Sequence, residues 1–232
     1  MRPMDPLAGS QWSAPATVAG FARSAPNDIL LAFARKELQR PGAVRALDLG
    51  CGAGRNVIPL ARQGWDVSGT DLSWPMLRAA AQRAGQERLE DRVGLILAPM
   101  DHIPARDHSF DLVVAHGIWN LARSAAEFRR ALGEAARVAR PGAGAFVFTF
   151  SRNTLPPETR PVPGEPFVFT EFSGQPQCFL TDHQLIAELG EAGFVPDPAV
   201  PLTEYNGPRS GNLQRGTGPV IYDAAFRRAG GG

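Results

Sequence analysis

Between Asp48 and Asn56 the chain reads D-L-G-C-G-A-G-R-N, with Gly50, Gly52 and Gly54 at alternate positions. Glycine reaches backbone conformations closed to other residues and lets a ligand approach the peptide plane closely. A helix that begins directly after such a turn presents free N–H groups to it. Phosphate-binding loops use the same arrangement, so nucleotide ligands are the first class to weigh. The dinucleotide fingerprint G-x-G-x-x-G is not matched, because Arg55 stands in the place of its third glycine. Arg55-Asn56 also fails to supply the Gly-Lys pair of a P-loop.

Two further acids follow apolar runs. Asp71 lies after the second run, where a carboxylate can accept both hydroxyls of an unphosphorylated ribose; capping the next helix is the plainer role, and the two can coexist. Asp101, in Pro99-Met100-Asp101, suits the exocyclic amine of an adenine, with the backbone of Met100 and Asp101 at the ring edge. His116 follows the fourth run and titrates near neutrality, which makes it the candidate general base, against a simple pocket-lining role. Trp119 and Asn120 in the same loop, Trp12 and Arg23 on an N-terminal arm, and Arg152 are candidates for touching a substrate or closing over the site. Trp119 would stack a flat substrate unless it is core packing. Arg55 and Asn56 suit a carboxylate or an anionic substrate, or an ordinary helix surface. Cys51 reads as a small side chain for a crowded turn rather than a redox group. Asp101, His102, Asp107 and His108 lack a recognised metal-ligand spacing, and no metal is expected.

The elements needed to hold these residues are legible in the periodicity. Residues 1–25 carry prolines and little pattern, and read as an irregular arm. Asn27 or Asp28 caps a helix whose face is Ile29, Leu30, Phe33, Ala34 and Leu38, ended by Pro41-Gly42. Strands are expected at 44–49, 65–70, 93–98, 110–115 and 145–150, with helices at 55–63, 73–88 and 124–139; the last ends at Arg140-Pro141-Gly142. Strands alternating with helices give an open parallel sheet whose ligands bind at the carboxyl ends of its strands. Residues 151–180 break the rhythm with six prolines around FVFTEF, and read as an inserted, lid-like segment. Thr181 caps a helix to about Glu191, and the apolar run within 218–228 reads as a last strand returning to the sheet. The expectation is a single domain over 1–232, with an arm and helix at 1–40.

Over residues 44–150 the ordered motifs LDLGCGAGRN, GTDLS, APMD, FDLVVAHGIWN and RVARPGAGAFVFTF resemble the class I methyltransferases that use S-adenosylmethionine (SAM). The resemblance implies a Rossmann-like, doubly wound αβα fold of three layers, with a seven-stranded, mostly parallel sheet and an antiparallel last strand. It implies that Asp48 and the backbone of Gly50, Cys51, Gly52 and Gly54 hold the methionine part. Asp71 would take the ribose, Leu72 would pack on adenine, Asp101 would take its amine, and the backbone at Ala115–His116 would meet the α-amino group. S-adenosylhomocysteine would be the product. GCGAGRN followed by GWDVSGTD is most similar to tellurite-resistance and thiopurine-type small-molecule enzymes. A small organic acceptor methylated on O, N or C is the leading expectation, slightly favoured by Trp119, Phe167, Phe169 and Phe172; a thiol or metalloid oxyanion is the alternative. A non-catalytic SAM-binding module is a third reading, and an NAD-type oxidoreductase is disfavoured by Arg55 and the PMD and RPG segments.

Composition limits the partners. Net charge is +1 with no basic stripe, so a nucleic-acid partner is not expected. No apolar run approaches membrane-spanning length, the first residues lack a secretory pattern, and two cysteines offer no metal spacing. The chain is expected in the cytoplasm, as a monomer or homodimer.

Overall fold

Side chains that satisfy the first free N–H groups of a helix set where most of the major helices begin. In a computed structural model, which describes residues 5–206 and 218–230, Asn27, Ser73, Ser124 and Thr181 each accept a backbone N–H at a helix start, as their types and places predict. Thr181 and Gln184 complete a reciprocal capping box. The helices are α1 (Pro15–Arg23), α2 (Asp28–Glu37), α3 (Val57–Gln63), α4 (Trp74–Gln86), α5 (Ala125–Val138) and α6 (Asp182–Glu191).

Between them run β1 (Arg45–Leu49), β2 (Asp66–Asp71), β3 (Val93–Leu97), β4 (Phe110–His116) and β5 (Ala139–Phe150). The later strands are β6 (Val168–Phe169), β7 (Gln177–Cys178), β8 (Phe194–Pro196), β9 (Thr203–Tyr205) and β10 (Ile221–Arg228). The main sheet has the order β3-β2-β1-β4-β5-β10-β8, with β9 also paired to β10. β1 to β5 pair in parallel, and β10 runs antiparallel to β5. This is the Rossmann-like sheet expected, with β9 as an eighth strand. Its switch point lies between β1 and β4, where ligands bind in such sheets.

Each face of the sheet has its own apolar layer. Leu30 and Phe33 of α2, with α3 and Leu77 of α4, cover Ala46, Val114 and Phe146. Phe128 and Leu132 of α5, with Leu185 and Leu189 of α6, cover Val113, Val147 and Phe226.

Three local expectations are corrected. The arm is not irregular throughout: Pro15 opens α1, its fixed φ suiting the first helical position, and α1 packs on α4. Arg140-Pro141-Gly142 does not follow the strand-free end of a helix; it lies inside the start of β5. There the register slips so that Phe110 faces Ala139 and Leu112 faces Gly144, an irregular entry that tolerates proline. In the 151–180 segment FVFTEF gives only the two residues of β6, paired with β7 in a separate small sheet. No helix among the described residues is long and apolar enough to cross a membrane.

Phe33, 2% exposed, ties α2 to the sheet through Phe146. Phe33→Ala is expected to lower stability by about 3–5 kcal/mol, read as a lower urea midpoint. A loss under about 1 kcal/mol would show that α2 is not anchored by this face.

Candidate functional site

At the carboxyl end of β1 the chain leaves the sheet through Gly50, Gly52 and Gly54, with φ of 64°, 53° and 80°. A side chain in this left-handed region is strained, so the alternate glycines are a conformational requirement. Space adds to it at Gly50, where a Cβ would come 2.6 Å from Cδ1 of Ile118 in the loop after β4. Cys51 is buried and packs on Gly69 of β2, as a small side chain in a crowded turn should.

Asp48 sits below this turn, 1% exposed, and its Oδ2 has no hydrogen-bond partner. Burial, with the charge of Asp71 beside it, pushes its pKa up to about 8. An acceptor buried without a donor is costly and marks a place where a donating group fits. Asp71 closes the other side of the turn. Its Oδ2 accepts the Gly52 N–H at 2.9 Å and its Oδ1 the Ser73 N–H at 2.7 Å, while burial holds its pKa above the usual range. Ser73 and not Asp71 caps the next helix; Asp71 instead ties the glycine turn to the residue before α4. Leu72 and Met100 lie half-buried beyond the ends of β2 and β3, and Ala115 is buried one residue before His116.

His116 ends β4 and stacks on Phe148 of β5, with ring centres 4.1 Å apart. Its Nε2 is 3.3 Å from Nδ2 of Asn27. The other end of that amide accepts the Leu30 N–H to cap α2, so Nδ2 must donate and Nε2 must accept. Burial and the nearby Arg55 charge push the His116 pKa down to about 3, leaving the ring neutral at ordinary pH. The same Nδ2 donates to both oxygens of Asp223 on β10 at 3.4 Å. Neither Asn27 nor Asp223 stands out as a site residue in the sequence. The available signal is a single carboxylate inside the apolar run VIYDAAF.

Residues 5–27 cross this end of the sheet as a strap. Asp5 accepts the Trp74 N–H, the Trp12 carbonyl accepts the Ser73 hydroxyl, and the Ser13 and Ser73 hydroxyls bond each other. The Phe21 ring lies 3.7 Å from where a Cβ of Gly52 would be. Arg55 Nε then donates to the Ala25 carbonyl at 2.7 Å, and Asn27 N–H to Asn56 Oδ1 at 3.4 Å. The strap thus meets Ser73 at Trp12, and Arg55 and Asn56 further along, whereas Arg23 is exposed on it.

Asp101 follows β3 as foreseen; its Oδ2 accepts from Nε and Nη2 of Arg130 on α5, and Oδ1 is not engaged by that pair. Other expected residues lie elsewhere. Trp119, 1% exposed, packs edge-on against Phe128 inside the α5 layer and presents no face for stacking. Asn120 is equally buried beside it, its Oδ1 unpaired. Arg152 spends its guanidinium on the carbonyls of Leu155, Pro156, Pro157 and Thr159 and lies over Phe169, organising the inserted segment rather than facing a substrate. Of the aromatics read as favouring an organic acceptor, Phe167 and Phe169 are also buried, and only Phe172 is exposed, against Phe150 and Phe179. A cleft lined by Glu37, Arg40, Asp111 and Arg140 opens at the amino ends of the strands, but its charged groups pair with one another. Among the described residues no cluster suits a metal ion.

Residues 46–142 match the family described as methyltransferase domain. Over 101 residues the chain is 42% identical to a demethylmenaquinone methyltransferase of Lactiplantibacillus plantarum, covering 42% of this chain and 41% of that protein. The chain therefore spans less than half the length of that relative. Among solved structures it resembles 1,6-didemethyltoxoflavin-N1-methyltransferase of Burkholderia thailandensis, at a TM-score of 0.63 and 19% identity, over 94% of this chain and 80% of that one. It resembles the (4+2)-cyclase SpnF at 0.67 and 21%, over 90% and 85%. At such identities these two likenesses carry the fold alone, which different chemistries share.

The unpartnered Asp48 makes stability depend on pH. Its pKa is raised from 3.8 to about 8 on folding, so between those values the folded chain holds a proton that the unfolded chain has released. The stability contributed by Asp48 is then fully present near or below pH 4 and falls as pH rises, the loss being complete above about pH 8. Melting temperature should decline more steeply from pH 5 to 8.5, on the order of this window, in the wild type than in Asp48→Asn. Parallel declines would show that Asp48 is ionised in the folded chain throughout.

Proposed function

We propose that this chain is a class I SAM-dependent methyltransferase acting on a small organic molecule. The observation that carries the reading is Asp48, a buried carboxylate oxygen without a donor, below a three-glycine turn whose far side is closed by Asp71. These residues fit the donor groups of an amino-acid nucleoside. Asp48 receives the ammonium of the methionine part, the turn backbone its carboxylate end, and Asp71 the ribose hydroxyls, while Leu72 and Met100 flank the adenine. When bound, SAM supplies a methyl group already activated on a sulfonium, so transfer needs alignment and exclusion of water more than acid–base work.

The remaining residues serve those two needs. The strap from Asp5 to Asn27 covers the turn and keeps water from it. His116, neutral and already accepting from Asn27, orients the acceptor by its position against Phe148 rather than removing a proton. Asp101 pairs with Arg130 through Oδ2 alone, which leaves Oδ1 for the adenine amine. An organic acceptor is favoured over a thiol or metalloid oxyanion by Phe148, Phe150 and the exposed Phe172, which offer apolar surface. The match of residues 46–142 to the methyltransferase domain family supports the same reading.

Calorimetry with S-adenosylhomocysteine tests it. At pH 7 free Asp48 is protonated and must ionise to pair with an ammonium, so binding should release close to one proton, visible as a dependence of the binding heat on buffer. Asp71→Ala should weaken binding on the order of 100-fold, the loss of two charge-assisted hydrogen bonds. Binding of NAD in preference to S-adenosylhomocysteine, or an Asp71→Ala affinity equal to the wild type, would overturn the assignment.

A further inference from the structure

Four acids are buried among the described residues: Glu37, Asp48, Asp197 and Asp223. Glu37 and Asp197 are both paired with Arg227. Asp48 and Asp223 have no ion-pair partner among the described residues. Placing a carboxylate in an apolar strand without a cation costs several kcal/mol in principle, and Asp48 is accounted for by the proposed ammonium. Asp223 is not.

Its surroundings give direction. Asp223 is 4% exposed and stands opposite Phe148 in the β5–β10 register, as His116 does in the β4–β5 register. The three side chains therefore share one row on one face of the sheet, and Asn27 bridges its two polar ends. The Asn27 bonds, at 3.4 Å, are long and come from one N–H₂ group, which leaves most of the acceptor capacity of Asp223 unused. Arg55 lies close enough to influence it, but its Nε is turned to the Ala25 carbonyl. Asp48 and Asp223 are three strand spacings apart across the sheet and two residues apart along it, roughly 16 Å. His116 and Phe148 lie between the two acids on the same face.

Resting on the methyltransferase reading, we propose that Asp223 is the specificity-determining residue for the acceptor. It receives an O–H or N–H group of a planar, otherwise apolar molecule lying along Phe148 and Phe150. A site with a buried acceptor of this kind rejects an analogue that lacks the donor, because the carboxylate would then be left unpaired. The acceptor is thereby a hydroxylated or aminated ring system rather than a donor-free hydrocarbon or an anion.

The experiment is calorimetric titration of the protein saturated with S-adenosylhomocysteine, using 1-naphthol, 1-naphthylamine and 1-methoxynaphthalene. The wild type should bind naphthol or naphthylamine at least about tenfold more tightly than the methyl ether; which of the two is preferred separates an oxygen from a nitrogen donor. Asp223→Leu should reduce that preference to within about twofold, with Asp223→Asn between them, and both should keep the affinity for S-adenosylhomocysteine. A purely structural carboxylate would lower the melting temperature when replaced. A functional one held at a cost should leave it unchanged or raise it by roughly 2–4 °C. Equal binding of the three probes by the wild type, binding of none, a preference that survives Asp223→Leu, or a fall in melting temperature in both variants overturns the assignment. Failure of the wild type to bind S-adenosylhomocysteine overturns the methyltransferase reading instead, before any probe is added.

Discussion

One amide holds the site together. Asn27 Oδ1 caps α2 by accepting the Leu30 N–H, its Nδ2 donates to His116 and Asp223, and its own N–H reaches Asn56. Because one end of the amide is committed to the helix, the other can only donate, and this settles the protonation of the His116 ring it faces. The position of α2 depends in turn on Leu30 and Phe33 buried against the sheet. The apolar layer on one face and the chemistry at the end of the strands are therefore one mechanical unit. A loosened helix would release the histidine, the acid and the strap together.

The strap gains its meaning from the same geometry. Its anchors follow the edge of the sheet in order, from Ser73 and Trp74 beyond β2 to Arg55 and Asn56 after β1, and then to His116 and Asp223. Most are single hydrogen bonds to backbone atoms or hydroxyls, each worth about 1 kcal/mol net. Such a cover excludes water when seated and detaches at modest cost, as entry of a ligand beneath it requires.

How much of this was legible in the sequence depended on whether a residue's role is local. The glycine turn, Asp71 and the four helix caps act on neighbours within a few positions, so spacing and residue type located them. The parallel sheet followed from the alternation of apolar runs with helices. Residues whose direction is set across the chain were misread. Trp119 and Asn120 fall in a loop beside His116, yet they turn into the α5 layer; Arg152 closes on carbonyls a few residues ahead because the proline-rich segment folds back on it. Asp101 follows β3 as expected, and its Oδ2 pairs with Arg130 of α5, a contact 29 positions away. Asp223 is the converse: its contact with Asn27 spans 196 positions, and its one local mark is a lone carboxylate in an apolar run.

The two ends of the sheet differ in a way that bears on function. At the amino ends of the strands, Asp111 accepts the N–H groups of Val44 and Arg45 and pairs with Arg140, while Glu37 and Asp197 share Arg227. Every acid there is satisfied by the chain itself, which is the expected state of a group that serves the fold. At the carboxyl ends, Asp48 lacks any donor to Oδ2 and Asp223 has only one distant amide. Two buried acids without an ion-pair partner stand at the carboxyl ends, beside the partnered Asp71 and Asp101, and mark that end as the one arranged for ligands. The shared sheet, found also in a protein named as a cyclase, does not by itself select a reaction. The two unpaired acids, on one face and separated by a stacked histidine, define what must enter: one donor group at the glycine turn, and another at the far strand.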